Sequence, residues 1–255
     1  MDGMVLALFL FATFAGGVVT GLAGFALGLV VSGVWLHILT PIQTAILMVG
    51  YGLVSQSLGM WKLRRALRWR AVAPFIVGGA LCVPIGALGV PIGAALLAHV
   101  EPAYLRDGVG VLLVLYSIYG LARPALKPVA AGVPADAGVG FLNGLLGGMT
   151  GLGGIVVTIW CQLHGWPQDR QRATFQPVLF ATTLTTAISL AVVGAVTAQN
   201  VKLYLLGLPL MLAGTWTGLK LYGRLNEAGF RRVVLLLLLA SGVSLLAPPV
   251  LARTM

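Results

Sequence analysis

A short motif, Thr-Gly-Leu followed by Ala or Gly and then Gly, occurs twice in the chain, at residues 20–24 and at residues 150–154. Each copy lies inside a long apolar segment that contains further glycines. Because each glycine costs a helix about 1 kcal/mol relative to alanine and lets the backbone bend, such a segment is a poor continuous helix. The motif therefore predicts a broken helix at both places.

The composition indicates where these breaks lie. The chain has 255 residues, of which 59% are hydrophobic and only 9% are charged, whereas a soluble domain has about 25% charged residues. Apolar stretches of about 20 residues separated by short polar links predict an all-α integral membrane protein. Since lipid offers no hydrogen-bond partners, a break is tolerated only where its N–H and C=O groups face protein, a ligand or water. Both breaks are therefore candidate binding sites.

The distribution of charge and the positions of the cysteines argue against nucleic-acid-binding and metal-binding functions. The net charge of +10 would suggest nucleic-acid binding in a soluble chain, but here the basic residues lie in short links between spans, where they set orientation. We therefore predict no nucleic-acid partner. Cys82 and Cys161 lack metal-ligand spacing and are interpreted as packing residues. The N-terminus has no positively charged n-region and is expected to stay attached.

The first apolar segment, residues 4–39, is longer than one crossing of a membrane core of about 30 Å requires. A break within it gives either one kinked span or a re-entrant hairpin. Thr40-Pro41 ends the segment, and Trp166-Pro167 ends the second broken segment in the same way. The remaining predicted spans cover residues 42–61, 72–98, 104–121, 139–163, 175–196, 204–221 and 233–251.

The second half of the chain repeats the first. The offset is 130 residues from Thr20 to Thr150, 126 from Pro41 to Pro167, and 135 from Gly79 to Gly214. A nearly constant offset predicts a duplication with small insertions. We therefore expect a first transmembrane repeat at residues 1–123, a linker at 124–135 and a second repeat at 136–255.

The basic residues distinguish two topologies for these repeats. If both broken segments cross the membrane, nine basic residues lie inside against seven outside. If each broken segment returns to its starting side, the second half inverts and the distribution becomes thirteen against three. The positive-inside rule therefore favours inverted repeats, each with a re-entrant or discontinuous helix and about three full spans. The basic cluster at residues 62–70 is then cytoplasmic.

Inverted-repeat transporters bind substrate near the membrane midplane, where helix N-termini direct their positive dipole ends at anionic groups. The predicted substrate-binding residues are Thr20, Gly21, Gly24, Asn143, Thr150, Gly151, Gly153, Gly154 and Gln176. Alternatives remain for each of them. The threonines could cap the second half-helices, the buried amides could bond between helices, and the glycines could serve helix packing.

The other ionisable residues favour an anionic substrate. All six acidic residues fall at segment ends, which disfavours a carboxylate-lined cation pathway. Arg170 and Arg172, with Asp169, lie at a mouth of the predicted pathway, where they either attract anions or serve orientation and ion pairing. His37 and His164 lie beside tryptophans and are interpreted as interfacial residues, with a proton relay as the alternative.

No catalytic constellation is found in the sequence. It has no nucleophile elbow, metal-ligand cluster or P-loop, so neither an enzyme nor an ATP-driven pump is supported. We predict no cofactor and no metal site.

The paired motifs, the Thr-Pro and Trp-Pro turns after them, and the basic loop after the second span resemble the TauE/SafE family of sulfite and organosulfonate transporters. The resemblance covers nearly the whole chain and is strongest at residues 147–154, whereas Ala23 stands where the first motif often has glycine. It implies a secondary transporter, often an exporter, of small anions such as sulfite, sulfoacetate or other organosulfonates. It also implies a multi-pass protein of the bacterial inner membrane.

A passive channel for small anionic or neutral solutes is the alternative function, and a membrane scaffold without transport is a third. Membrane lipid is an expected partner. The sequence leaves open whether the protein forms a homodimer and whether H⁺ or Na⁺ is a coupling ion.

Overall fold

The structure is a computed structural model that describes residues 3–87, 102–122, 131–150, 154–192 and 194–246. These ranges contain ten α-helices and no strand. The helices are α1 (Gly3–Ala23), α2 (Leu27–Ile38), α3 (Pro41–Lys62), α4 (Trp69–Ala87), α5 (Pro102–Ala122), α6 (Val133–Thr150), α7 (Ile155–Leu163), α8 (Gln168–Val192), α9 (Ala198–Tyr222) and α10 (Glu227–Leu246).

The predicted breaks are present in both halves. α1 and α2 are separated by residues 24–26, in which Gly24 has φ of 86° and Ala26 has φ of 75°. In the second half, α6 ends at Thr150, α7 begins at Ile155, and Gly154 directly before α7 has φ of 98°. Residues in the left-handed region cannot continue a right-handed helix, so α2 and α7 each begin as a separate helix.

The first broken segment folds back on itself. The Phe9 ring stacks on Trp35 with centroids 5.4 Å apart, and nearer the break a Cβ at Gly16 would lie 2.6 Å from Val31. Residue numbers therefore rise along α2 as they fall along α1. The two helices form an antiparallel hairpin with unequal arms of 21 and 12 residues, and not one kinked span.

The helices follow the predicted apolar segments, but four of them in the second half begin early: α6, α9 and α10 by six residues and α8 by seven. α8 begins at Gln168, seven residues before the predicted start, because its first turns are polar and extend beyond the apolar stretch. It also continues through Pro177. Thr40 begins α3 with a capping box that includes Gln43. The predicted span at residues 72–98 is described only as far as Ala87.

The described surface suits lipid better than water. Two helices, α1 and α8, are long and apolar enough to cross a membrane, with mean hydropathies of 2.2 and 1.5 over their best windows. Large apolar side chains also face outward on other helices: Leu115 is 63% exposed and Leu205 is 59% exposed. Because apolar surface in water costs about 25 cal/mol per Å², a surface of this kind is matched to an apolar solvent.

Helices pack across the two halves of the chain. α1 packs along α9 and α4 packs along α6, whereas α3 packs on α8 and α5 packs on α10. By their order in the chain, α1 and α6 occupy equivalent places, as do α3 and α8, α4 and α9, and α5 and α10. The contact of α1 with α9 therefore corresponds to the contact of α6 with α4. The α3–α8 and α5–α10 contacts each join two helices that hold the same place in the two halves.

The contact between α3 and α8 is antiparallel. The Gln56 side chain donates to the Thr183 hydroxyl at 3.3 Å, and one turn later along α3 a Cβ at Gly59 would collide with Gln176, which precedes Thr183. Residue numbers therefore rise along one helix as they fall along the other. Two equivalent helices thus run in opposite directions.

Glycines allow α1 and α9 to approach closely. Gly17 and Gly21 of α1 face Gly214 and Gly218 of α9, and a Cβ at Gly17 would lie 2.8 Å from the carbonyl oxygen of Met211. Small residues at this spacing are a frequent means of helix association in membranes. The packing role considered for Gly21 is therefore confirmed.

Replacing Gly218 with alanine is expected to destabilise the protein, whereas Gly28→Ala is expected to be tolerated. A Cβ at Gly218 would collide with the carbonyl oxygen of Val18, but at Gly28 the nearest atom would be the Met48 sulfur at 3.6 Å, an ordinary contact. Overpacking costs about 1–3 kcal/mol. Thermal unfolding of the two purified variants in detergent measures the difference, and equal midpoints would contradict close packing of α1 on α9.

Candidate functional site

Both helix breaks lie against α8. A Cβ at Gly24 would lie 2.9 Å from the Phe175 ring, and a Cβ at Gly154 would collide with the Leu179 side chain. Phe175 and Leu179 are four residues apart, which is about 6 Å along a helix, and Gln176 lies between them. Gly24 and Gly154 therefore contact neighbouring turns of α8, and Gln176 lies on the same part of that helix.

A buried guanidinium closes the first break. Arg172 is only 1% exposed, and it donates from Nη2 to the Gly21 carbonyl at 2.7 Å and from Nη1 to the Leu22 carbonyl at 3.1 Å. Both carbonyls belong to the last turn of α1, where no intrahelical donor follows and where the helix dipole is negative. Arg172 therefore caps the C-terminal end of α1 from α8.

The other groups around Arg172 are an amide, an aromatic ring and, beyond the ring, a carboxylate. With its amide oxygen turned toward Arg172, Gln176 accepts from Nε at 3.1 Å and from Nη2 at 3.3 Å. The guanidinium lies 4.4 Å from the centre of the Tyr222 ring, which is a cation–π arrangement. The Tyr222 hydroxyl in turn donates to Asp169 at 2.5 Å. Every hydrogen-bond acceptor described for Arg172 is thus a carbonyl or an amide.

This charge is distinctive in the described part of the chain. Among the buried polar side chains of the described residues, Arg172 is the only charged one, and the others are hydroxyls and amides. A buried charge is costly unless it is hydrogen-bonded or paired. The carbonyls and the amide bond Arg172 directly, and the Tyr222 ring and the Asp169 carboxylate behind it add further electrostatic compensation at the first break.

An amide holds the second break. Asn143 is 1% exposed, and its Oδ1 accepts from the Gly154 backbone N–H at 2.8 Å. Its Nδ2 is buried and has no partner among the described residues. Gly151 and Gly153 lie outside the described residues, as does the side chain of Thr150. Asn143 thus supplies the acceptor for one backbone donor of the break and retains an unused amide donor.

The family assignment follows from a match over nearly the whole chain. Residues 8–245 match the family described as Sulfite exporter TauE/SafE. The chain belongs to the TauE/SafE family. No match is found among curated proteins or among solved structures. The resemblance seen at the paired motifs is therefore confirmed, and the chain, all-helical over the residues described, belongs to a membrane transporter family described as sulfite exporters.

The alternative in which threonines cap the second half-helices of this TauE/SafE protein is wrong. The N-cap of α2 is Ala26 and that of α7 is Gly154, and neither has a side-chain cap. Thr20 lies inside α1, where its buried hydroxyl has no partner among the described residues and its carbonyl accepts from the Gly24 N–H at 2.7 Å. The break comes later than predicted because α1 continues through Gly21, which packs against α9.

Other polar residues of the TauE/SafE chain have packing roles. Gln56 bonds to Thr183, and Gln162 accepts from the Tyr116 hydroxyl at 3.1 Å, so both amides join helices. The His164 ring lies 5.0 Å from the Trp160 ring and 4.6 Å from the Trp166 ring. Such an aromatic cluster fits an interfacial histidine.

The sequence did not identify Arg172 as part of the site of this TauE/SafE protein. It was placed at a mouth of the pathway, together with Arg170 and Asp169, without a distinct role. A signal was present, because Arg172 and Gln176 are four residues apart and therefore share one face of a helix. The contact between that face of α8 and the first break is a long-range contact, and it could not be predicted from the sequence.

Proposed function

We propose that this protein is a secondary transporter that exports small sulfur-containing anions, such as sulfite, sulfoacetate and other organosulfonates, across the bacterial inner membrane. The observation that carries the proposal is the buried Arg172. It is a positive charge with neutral hydrogen-bond partners, and it lies where the first break meets α8. Export of sulfite-type anions is also the description of the matched family.

The groups around the breaks suit an oxyanion. A guanidinium presents several N–H donors in a planar fork that matches the oxygens of a sulfonate or sulfite group. The N-termini of α2 and α7 carry no side-chain cap, so their dipoles add positive potential. In this proposal Arg172, Gln176, Asn143 and the backbone donors of both breaks bind the anion.

We infer that the two halves, residues 1–123 and 136–255, are inverted repeats that move against each other to alternate access. Equivalent helices are antiparallel in the α3–α8 contact, and also in the α5–α10 contact, where Gly110 faces Gly242 and Gly120 faces Leu235. Opposite directions of equivalent helices are expected from a pseudo-twofold axis in the membrane plane.

The position of one arginine supports the same topology. Arg170 of the second half lines a surface cavity together with Arg68 of the first half. The two residues therefore lie on the same side of the protein. Inverted repeats place both on the cytoplasmic side, whereas repeats of equal orientation would place them on opposite sides.

Counterflow in proteoliposomes tests the proposed function. Vesicles that contain the purified protein and are preloaded with unlabelled sulfite are expected to accumulate labelled sulfite from outside, as a carrier exchanges internal for external substrate. A passive channel would equilibrate the label without transient accumulation. Imposing an H⁺ or a Na⁺ gradient identifies the coupling ion. Uptake equal to that of empty vesicles for sulfite, sulfoacetate and methanesulfonate alike would refute the assignment.

A further inference from the structure

A second cluster of arginines surrounds a cavity outside the site at the breaks. The cavity has a volume of about 510 Å³ and lies between the first turns of α4 and α8. Its lining consists of Arg68, Trp69, Arg70, Ala71 and Arg170. Three of the five lining residues carry a positive charge, and none carries a negative charge.

The start of α4 adds to the positive potential of the cavity. α4 begins at Trp69 and has no acidic residue in its first turn, so the positive end of its dipole is not neutralised by its own side chains. Arg68 and Arg70 flank this helix start. Backbone N–H groups at a helix start, together with adjacent guanidinium groups, form a recurrent anion-binding arrangement.

Arg170 of α8 also lines the cavity. Its guanidinium carbon lies 4.2 Å from the centre of the Trp166 ring, which fixes the side chain in place. Its Nε is buried and has no hydrogen-bond partner among the described residues. The neighbouring carboxylate, Asp169, accepts from the Tyr222 hydroxyl. The charge of Arg170 therefore lies beside the cavity, held by the Trp166 ring.

We propose that this cavity is an oxyanion-binding site that is separate from the Arg172 centre. Arg170 and Arg172 are two residues apart on α8, which places them about 200° apart around the helix. The ligand is a small group with several negatively charged oxygens, such as sulfate, sulfite, a sulfonate or a phosphate. A free anion and the phosphate of an anionic lipid share this chemistry. The exposed Trp69, 59% accessible, is typical of a membrane interface, where both are present.

Calorimetric titration of sodium sulfate into the purified full-length protein in neutral detergent tests the site without requiring transport. Arg170→Gln and Arg68→Gln are each expected to weaken sulfate binding about tenfold, because each removes a charge-assisted hydrogen bond. The matched control is Arg65→Gln, since Arg65 is an exposed arginine of the same loop that does not line the cavity. Equal weakening in the control, or none in the two cavity variants, would overturn the proposal.

Lipid retention distinguishes the two sources of the ligand. If a lipid phosphate fills the cavity, the wild-type protein binds no added sulfate but retains phosphatidylglycerol through purification, and Arg170→Gln loses this lipid whereas Arg65→Gln keeps it. Absence of both sulfate binding and such a lipid difference overturns the site. Because these measurements report binding, their result is independent of whether the counterflow experiment succeeds.

Discussion

Arg172→Met is expected to abolish sulfite counterflow and to lower the unfolding midpoint of the protein markedly. The substitution removes the donors that serve the Gly21 and Leu22 carbonyls and the Gln176 amide, all of them at the buried first break. Each buried acceptor left without a donor costs about 1–3 kcal/mol. The charge proposed to hold the substrate is lost at the same time.

A lysine at this position separates the structural from the binding role. Arg172→Lys keeps the positive charge but not the planar fork, so it is expected to fold better than Arg172→Met and to bind sulfite more weakly than the wild-type protein. Thermal unfolding and the concentration dependence of counterflow measure the two effects. Arg65→Gln is the control for loss of an arginine charge. Unchanged sulfite affinity in a folded Arg172→Lys protein would contradict a role of Arg172 in binding.

Gly154→Ala is expected to be the most damaging single-methyl substitution at the second break. The residue has φ of 98°, and a Cβ there would collide with the Leu179 side chain of α8. The left-handed conformation costs a non-glycine residue about 1–2 kcal/mol, and overpacking adds about 1–3 kcal/mol. Both the unfolding midpoint and the counterflow rate should fall.

Gly194→Ala provides the matched control. Gly194 has φ of 71°, but a Cβ there would have no atom within 4 Å, so alanine adds backbone strain without a collision. In a Leu179→Ala background, which removes the colliding side chain, Gly154→Ala should cost only the backbone strain. If Gly154→Ala and Gly194→Ala were equally destabilised in chemical or thermal unfolding, the second break would not be packed against α8.

The features that could be predicted from the sequence are those set by local chemistry. Glycine-rich motifs break helices wherever they occur, so both breaks were found within a few residues of their positions. Apolar length gave α3 and α5 to within two residues at each end. The start of α8 was missed because hydropathy marks the part of a helix that suits lipid and does not detect polar turns such as Gln168 to Arg170.

The features that could not be predicted depend on distant contacts. Arg172 bonds to Gly21 and Leu22 across about 150 residues of chain. No sequence pattern around Arg172 or around Gly21 predicts this contact. The late end of α1 has the same origin, because Gly21 stays helical while it packs on α9. Tertiary packing therefore determines both the position of the Arg172 side chain and the end of α1, and local sequence preference does not.

The matched family could also be predicted, although the substrate could not. The motifs that carry the family resemblance are glycines and turn residues, which shape the backbone. Backbone donors, an amide and a guanidinium recognise oxygens of any small anion. The choice among sulfite, sulfoacetate and other organosulfonates therefore requires measurement.

The pairing of α1 with α9 has a consequence for biogenesis. The two helices leave the ribosome nearly 200 residues apart, and synthesis adds about 5–20 residues per second, so α1 waits on the order of 10–40 s for its neighbour. During that interval its glycine face must be shielded by lipid or by an insertion factor. The early hairpin consequently matures only after translation of the later half, and assembly of this protein is a post-insertion event.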